Sequence, residues 1–196
     1  HPMDSYYSYK FDGIWQLSDT AVIPTSHMPT ARPGDVRIVD IDGDSIITPN
    51  DREIKDRTPD WIGSIGSTLR FKGIDFSFDI YTVQGGIRQN AYLYDFNSGG
   101  SLQGKLNGLK VDYWTPENPS NTAPRPYDNA ASPYMESLSY QDGTYVRLRN
   151  VMLGYTLPQK MSRKIGMEKF RLYASATNWI TLTDFLSYSP ESGPNG

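Results

Sequence analysis

Between Trp61 and Val83 two consecutive runs alternate with a period of two, and this pattern restricts the fold more than any other stretch of the chain. In 61–71 one face carries Trp61, Gly63, Ile65, Ser67, Leu69 and Phe71, and the other carries Ile62, Ser64, Gly66, Thr68 and Arg70. Lys72 and Gly73 read as a short turn. The alternation then resumes with Ile74, Phe76, Phe78 and Ile80 against Asp75, Ser77, Asp79 and Tyr81. Because successive side chains of a strand point to opposite sides, this is a hairpin with one apolar and one polar face. Its apolar face must be covered either by a second protein layer or by lipid.

A second strand pair is expected at roughly Thr144–Leu157 and Lys169–Ile180, around a polar connection from Pro158 to Glu168. Phe170, Leu172, Ala174 and Ala176 share one face of its last strand, opposite Arg171, Tyr173, Ser175 and Thr177. In the strand before it, Arg147 and Arg149 share parity with Val151, Leu153 and Tyr155. One regular strand cannot put those arginines in a polar lumen and those apolar residues in lipid. A β-bulge near Asn150 resolves the conflict by shifting the parity; alternatively the arginines lie above the membrane. The connection 84–142 between the two pairs is very long. Such a loop counts against a compact soluble domain, whereas barrels of the outer membrane carry long external loops and short periplasmic turns.

Composition agrees with a strand-and-loop chain. Of 196 residues 37% are hydrophobic, yet 13% are aromatic, with 14 Tyr, 17 Gly and 14 Pro. A net charge of -3 argues against a nucleic-acid partner, which would need a basic stripe. Without cysteine there are neither disulfides nor thiolate metal sites. No apolar run approaches the roughly 18 residues of a spanning helix, which leaves open a barrel, whose strands need only about 9–11 residues. His1-Pro2-Met3 opens no secretory leader, so the expectation is either a cytosolic protein or an internal piece of a longer one. In 1–33, short strands are expected near Tyr6–Phe11 and Ile14–Leu17, then irregular chain. Val36–Val39 feeds an acidic loop, and Asp51–Lys55 reads as one helical turn stopped by Pro59.

That acidic loop, Asp40 to Asp51, matches the spacing of a twelve-residue calcium loop. Asp40, Asp42, Asp44, Ile46, Thr48 and Asp51 occupy positions 1, 3, 5, 7, 9 and 12, where such loops place their oxygen ligands. Two features depart from the rule: Ser45 stands at position 6, where glycine is the norm, and Asp51 replaces glutamate at position 12. The competing reading is a turn whose aspartates accept bonds from nearby backbone N–H groups. No long helices flank the loop, so a calcium ion here would be a structural brace.

Nothing in the chain makes an enzyme constellation. His1 and His27 lack motifs and read as solvated loop histidines, and Asp75 and Asp79 are about 13 Å apart along a strand, too wide for a glycosidase pair. Tyr92, Tyr94, Tyr113, Trp114 and Tyr127 are weak candidates for stacking on sugar rings; packing between loops or a membrane-interface girdle is the favoured alternative.

Several ordered segments resemble one family: the Tyr6–Gln16 block, the Pro33–Arg52 loop, the 61–86 hairpin, Trp114-Thr-Pro-Glu-Asn-Pro-Ser-Asn121, the stretch from Asp142 to Pro158, and Phe170 to Trp179. Through nearly all of its length the chain looks like the C-terminal part of the SusC/RagA family, the TonB-dependent outer-membrane transporters of Bacteroidetes. The resemblance implies an all-β fold: a partial antiparallel transmembrane β-barrel, about four membrane strands of a 22-stranded barrel with long extracellular loops. It implies an extracellular loop region at 1–60 holding the calcium-type loop 40–51, a membrane hairpin at 61–83, a long extracellular loop at 84–142, a second membrane hairpin at 143–182 and the start of the next loop at 183–196. It further implies a SusD-like surface lipoprotein partner, a glycan or peptide nutrient, outer-membrane lipid around the barrel, and energy from the TonB complex through an N-terminal plug. The plug, the TonB-contacting segment and the final strands are not expected within these residues, and four strands cannot close a barrel, which takes about eight. The alternative is a soluble, calcium-stabilised, β-rich glycan-binding module, which would have to bury Ile74, Phe76, Phe78 and Ile80 under a second layer.

Overall fold

A computed structural model describes residues 4–90, 112–126, 133–186 and 189–191. Among these the strands are β1 (Ser5–Tyr9), β2 (Phe11–Ile14), β3 (Val36–Ile38), β4 (Arg52–Asp56), β5 (Trp61–Phe71), β6 (Ile74–Gln84), β7 (Ile87–Gln89), β8 (Tyr140–Asp142), β9 (Tyr145–Thr156) and β10 (Arg171–Leu182). Two short helices, α1 (Glu136–Ser139) and α2 (Gln159–Lys164), accompany them. The chain divides into two compact units, one of residues 59–86 and 142–185, the other of 1–58, 87–141 and 186–196.

The first of these units is a four-stranded antiparallel sheet in the order β10-β9-β6-β5. β5 and β6 pair without interruption from Phe71↔Ile74 to Trp61↔Gln84. Their two-residue turn has Lys72 at φ 46° and Gly73 at φ 86°, both left-handed, as a type I′ hairpin turn requires. Residues directly opposite share a face, so the register assigns both sides. Ile65, Leu69 and Phe71 line up with Ile80, Phe76 and Ile74. On the next strand, Val151, Leu153 and Tyr155 stand opposite Phe78, Phe76 and Ile74.

The parity conflict in β9 is resolved by a bulge at Arg149. Asp79 pairs with Asn150 but the next residue, Ile80, pairs with Leu148, leaving Arg149 as the extra residue. Before the bulge the apolar face of β9 uses even positions, Val146 and Leu148, and after it the odd positions from Val151 to Tyr155. Arg147 therefore falls on the polar face, opposite Tyr81 and Thr181. β10 absorbs the same irregularity with two residues, Asn178 and Trp179, between Thr177 and Ile180, and Asn178 takes φ 50°. Ile65, Leu69, Phe71, Leu153, Leu172 and Leu182 are each more than half exposed on the continuous apolar side.

The second unit is built from small two-stranded sheets, β1-β4, β2-β3 and β7-β8. It has its own core of Trp15, Ile23, Met28, Val36, Ile38, Met135 and Leu138, each contributing about 1.5–3 kcal/mol by burial. Two expectations are corrected here. The strand expected near Ile14–Leu17 lies earlier, at Phe11–Ile14, because the Gln16 amide donates to Asp19 Oδ2 (2.9 Å) and starts a 3-10 turn at Leu17–Asp19. The helical turn expected at Asp51–Lys55 is a 3-10 turn at Pro49–Asp51 followed by a strand, since Arg52–Asp56 pairs residue by residue with Tyr9–Ser5. That ladder stacks Arg52 over Tyr9 (4.9 Å) and Arg57 over Tyr6 (5.0 Å).

Residues 112–126 are fastened to β2 and β3 through Gln16. Its Oε1 accepts from Trp114 Nε1 (2.7 Å), while its Nε2 donates to Ile14 O (2.8 Å) and Ser120 O (3.1 Å). The Asn121 side chain accepts from the Ile14 amide (3.2 Å), and Arg125 pairs with Asp35 (2.6 Å). Gly34, at φ +90°, lets the chain pass under the Trp114 ring, where a Cβ would lie 2.5 Å from Cε3. We expect Gly34→Ala to destabilise this unit by about 1–3 kcal/mol through backbone strain and overpacking. Thermal unfolding followed by tryptophan fluorescence measures it, and an unchanged midpoint would show that the loop yields freely.

Candidate functional site

The acidic loop curls as the spacing of its aspartates demands. Asp40 Oδ1 accepts from Gly43 N (2.7 Å) and Oδ2 from Ser45 N (2.9 Å); Asp42 accepts from Asp44 N (3.3 Å) and Asp44 from Ile46 N (2.8 Å). These short bonds fold three carboxylates inward until one oxygen of each lies within 4.8 Å of the others. Ser45 holds φ 66° and Gly43 φ 75°, so the residue at position 6 adopts the left-handed turn that glycine usually supplies.

Asp51 is not part of that convergence. It is fully buried, and its Oδ1 accepts from Ile41 N (2.8 Å) and Asp42 N (3.5 Å) while Oδ2 accepts from Thr48 N (2.7 Å). Thr48 Oγ1 accepts from Asn50 N (3.1 Å) and caps the 3-10 turn. Of the six expected ligand positions, then, Asp40, Asp42 and Asp44 are brought together, and Asp51 and Thr48 tie the ends of the loop. The side chain of Ile46 is exposed.

The electrostatics separate these two roles. Bonds from Thr48 N foremost, and then from Ile41 and Asp42, hold the Asp51 carboxyl below the usual carboxylate range against the cost of burial. At Asp42 the bond from Asp44 N also lowers the pKa. Desolvation and the charges of Asp44, Asp51 and Asp40 outweigh it, so the group is pushed upward. The loop is thus a cluster of like charges held close by its own backbone, and its oxygens keep lone pairs beyond those used by the N–H groups. The residues present fit a hard cation such as calcium, which takes carboxylate oxygens readily.

The aromatic candidates fare unevenly. Trp114 is 5% exposed, with its N–H bonded to Gln16 and its ring on Gly34, so it packs loops together and presents no face to a sugar. Tyr113 is half-buried. Tyr92, Tyr94 and Tyr127 lie outside the described residues. His27, expected as a solvated side chain, is partly buried, with Nε2 2.8 Å from Ile38 O beside Trp15. No sequence signal pointed to that carbonyl, which only the packing of β3 brings near.

On the polar face of the four-stranded sheet, Asp75 is clamped by Arg171, whose Nε and Nη2 donate to its two oxygens (3.3 and 2.5 Å). The pair crosses β9 at Gly154, where a Cβ would stand 2.7 Å from both partners. A second cluster lies at the bulge. Arg149 stacks on the Tyr81 ring (3.9 Å to the centroid), and Arg147 lies over Tyr145 (5.0 Å) with its Nε bonded to Thr181 Oγ1 (2.9 Å). Sequence reading missed both arrangements, although the awkward parity of the two arginines was a signal for the second.

No protein-family model matches the chain. It is similar to TonB-dependent receptor P3 of Formosa agariphila, at 31% identity over 189 residues, covering 96% of this chain and 18% of that receptor. TonB-dependent receptor P26 of the same organism is 29% identical over 194 residues, covering 95% of this chain and 19% of the receptor. Among solved structures, a chain of the RagAB peptide transporter superposes with a TM-score of 0.67 at 24% identity, covering 97% of this chain and 20% of its own length. The RagAB peptide importer in its closed-closed state gives 0.66 at 24% identity, covering 97% and 21%. The chain thus spans about a fifth of the length of the relatives it matches. Its all-β antiparallel fold, with an apolar and a polar side to the large sheet, is that of one arc of a barrel. By sequence and fold together, the chain resembles a segment of the SusC/RagA-like TonB-dependent transporters.

Proposed function

We propose that this segment forms part of the wall and the external mouth of an outer-membrane importer that takes up oligosaccharides or peptides, is energised through the TonB complex, and works with a SusD-like surface lipoprotein. The observation that carries this reading is the sheet β5-β6-β9-β10, whose continuous apolar side leaves Ile65, Leu69, Phe71 and Leu172 exposed. A lipid-facing barrel wall needs such a side. A soluble glycan-binding sandwich needs it covered. The 1–58 and 87–141 stretches join the sheet at the strand ends bearing Trp61, Gln84 and Tyr145, which in a barrel of this kind is the end of the long external loops.

Within the mouth, the acidic loop acts as a calcium brace. Asp40, Asp42 and Asp44 would hold the ion, which offsets their mutual repulsion and stiffens the path from β3 into β4. Its role is mechanical: among the described residues no pair of long helices stands on either side of it to be opened. No catalytic step is assigned to any residue of the segment.

Deleting the gene that encodes the transporter should abolish growth on the nutrient it imports, while the chain should partition with outer-membrane lipid. Recovery of this chain as a cooperatively folding monomer in buffer without detergent would overturn the importer reading. Calcium should raise the unfolding midpoint of the loop unit by several degrees, with chelator reversing the gain and Asp42→Ala abolishing it; identical melting curves with and without calcium would remove the brace. For Asp51 the folded pKa is depressed, so its contribution is present above the unfolded value near 3.8 and lost as pH falls through the folded value. Asp51→Asn should therefore lower stability at neutral pH and flatten this part of the acid dependence, read from unfolding midpoints across pH.

A further inference from the structure

The polar face of the large sheet is cationic in a chain that is anionic overall. Its charged strand residues are Arg70, Arg147, Arg149 and Arg171 against Asp75 and Asp79, whereas the whole chain carries -3. Asp75 is taken up by Arg171. Arg70, directly opposite Asp75 in register, makes no ion pair among the described residues, and neither does Arg149. The face therefore presents cationic charge beyond what its own carboxylates match.

Arg149 is the best prepared of these groups. In an uninterrupted strand its parity would send it to the apolar side with Val151 and Leu153; the bulge re-aims it. Its guanidinium then lies 3.9 Å from the centre of the Tyr81 ring, and Tyr81 stands opposite Arg147 on the polar face. Stacking fixes the guanidinium plane while leaving its N–H edge available, and a planar fork of donors fits a carboxylate or sulfate better than a neutral hydroxyl. Orientation is already set before binding, which lowers the entropic cost of contact. Arginines along a pore wall select for anions by the same charge logic.

We infer that the wall formed by this sheet is a contact site for cargo bearing carboxylate or sulfate groups, with Arg149 on Tyr81 as the main contact and Arg70 as a second. This rests on the importer reading given above and narrows its substrate class. The test uses the intact transporter that carries this segment, purified in detergent, with labelled tetragalacturonate and hexaglutamate as acidic probes. Galactotetraose and hexaglutamine serve as their neutral counterparts. At least one acidic probe should bind about tenfold or more tightly than its counterpart, and which one does so separates a saccharide from a peptide source. Arg149→Gln should weaken that acidic probe by about tenfold, the scale of one charge-assisted bond, with Arg149→Lys partly restoring it and neutral binding unmoved. If Arg149→Gln does not fold, Arg70→Gln, at an exposed position, should still weaken acidic binding.

Equal binding of acidic and neutral probes, no binding of either acidic probe, or acidic binding unchanged in a folded Arg149→Gln or Arg70→Gln variant would each overturn the inference. Loss of stability in these variants with acidic binding unchanged would assign the face to an acidic part of the transporter itself and also overturn it. Uptake by cells with and without the gene separates the two levels. Gene-dependent uptake of a neutral but not an acidic probe overturns only the charge preference, whereas gene-independent uptake of every probe overturns the importer reading and this inference with it.

Discussion

A sheet with one apolar and one polar side tolerates no error of phase, and the rest of this structure depends on keeping that phase across four strands. Across β5, β6, β9 and β10 the apolar side is continuous because the register shift in β9 is matched in β10. The bulge at Arg149 is the cost of doing so with a sequence whose two halves of β9 are out of step. It turns Leu148 and Val146 toward the apolar side and gathers arginines and tyrosines on the other. The same backbone irregularity therefore serves both the apolar and the polar surfaces of the sheet.

The loop unit solves a different problem. Chain outside the large sheet must satisfy its own backbone and bury its own apolar groups, and here it does so with a small core around Trp15 and Ile38 and with Gln16 as a polar junction. Asp51 extends that logic into the acidic loop: a buried carboxylate accepting from three amides organises a turn that few apolar contacts could hold. Asp40, Asp42 and Asp44 then converge as a cluster of like charges on that turn.

Much of the large sheet was legible in the residues themselves. Alternation from Trp61 to Val83 gave both faces of the hairpin, since β5 and β6 are local partners joined by a two-residue turn. The bulge was one of two readings of the shared parity of Arg147, Arg149 and Leu153, which a regular strand would put on one side, and the structure places it at Arg149. What escaped was set by distant partners. Asp51–Lys55 reads as one helical turn, but Arg52–Asp56 is a strand because β1 lies beside it. For Trp114 packing between loops was already one of the favoured readings, but not its partners: Gln16 bonds its N–H and Gly34 lies under its ring. Asp51 takes the twelfth position by spacing, and its buried bonds to three backbone amides are set by the fold of the loop ends.

The Asp75–Arg171 clamp over Gly154 ties together strands that are not hydrogen-bonded neighbours, β6 and β10, with β9 lying between them. Adjacent strands can slip by two residues and keep their polarity, since such a slip returns each side chain to its own side. The clamp does not survive that slip, because the guanidinium would leave its carboxylate behind. The missing side chain at position 154 thus acts as a window through which one strand checks the alignment of another two places away. The register of strands two places apart is thus held by an ion pair that fits only because position 154 contributes no side chain of its own.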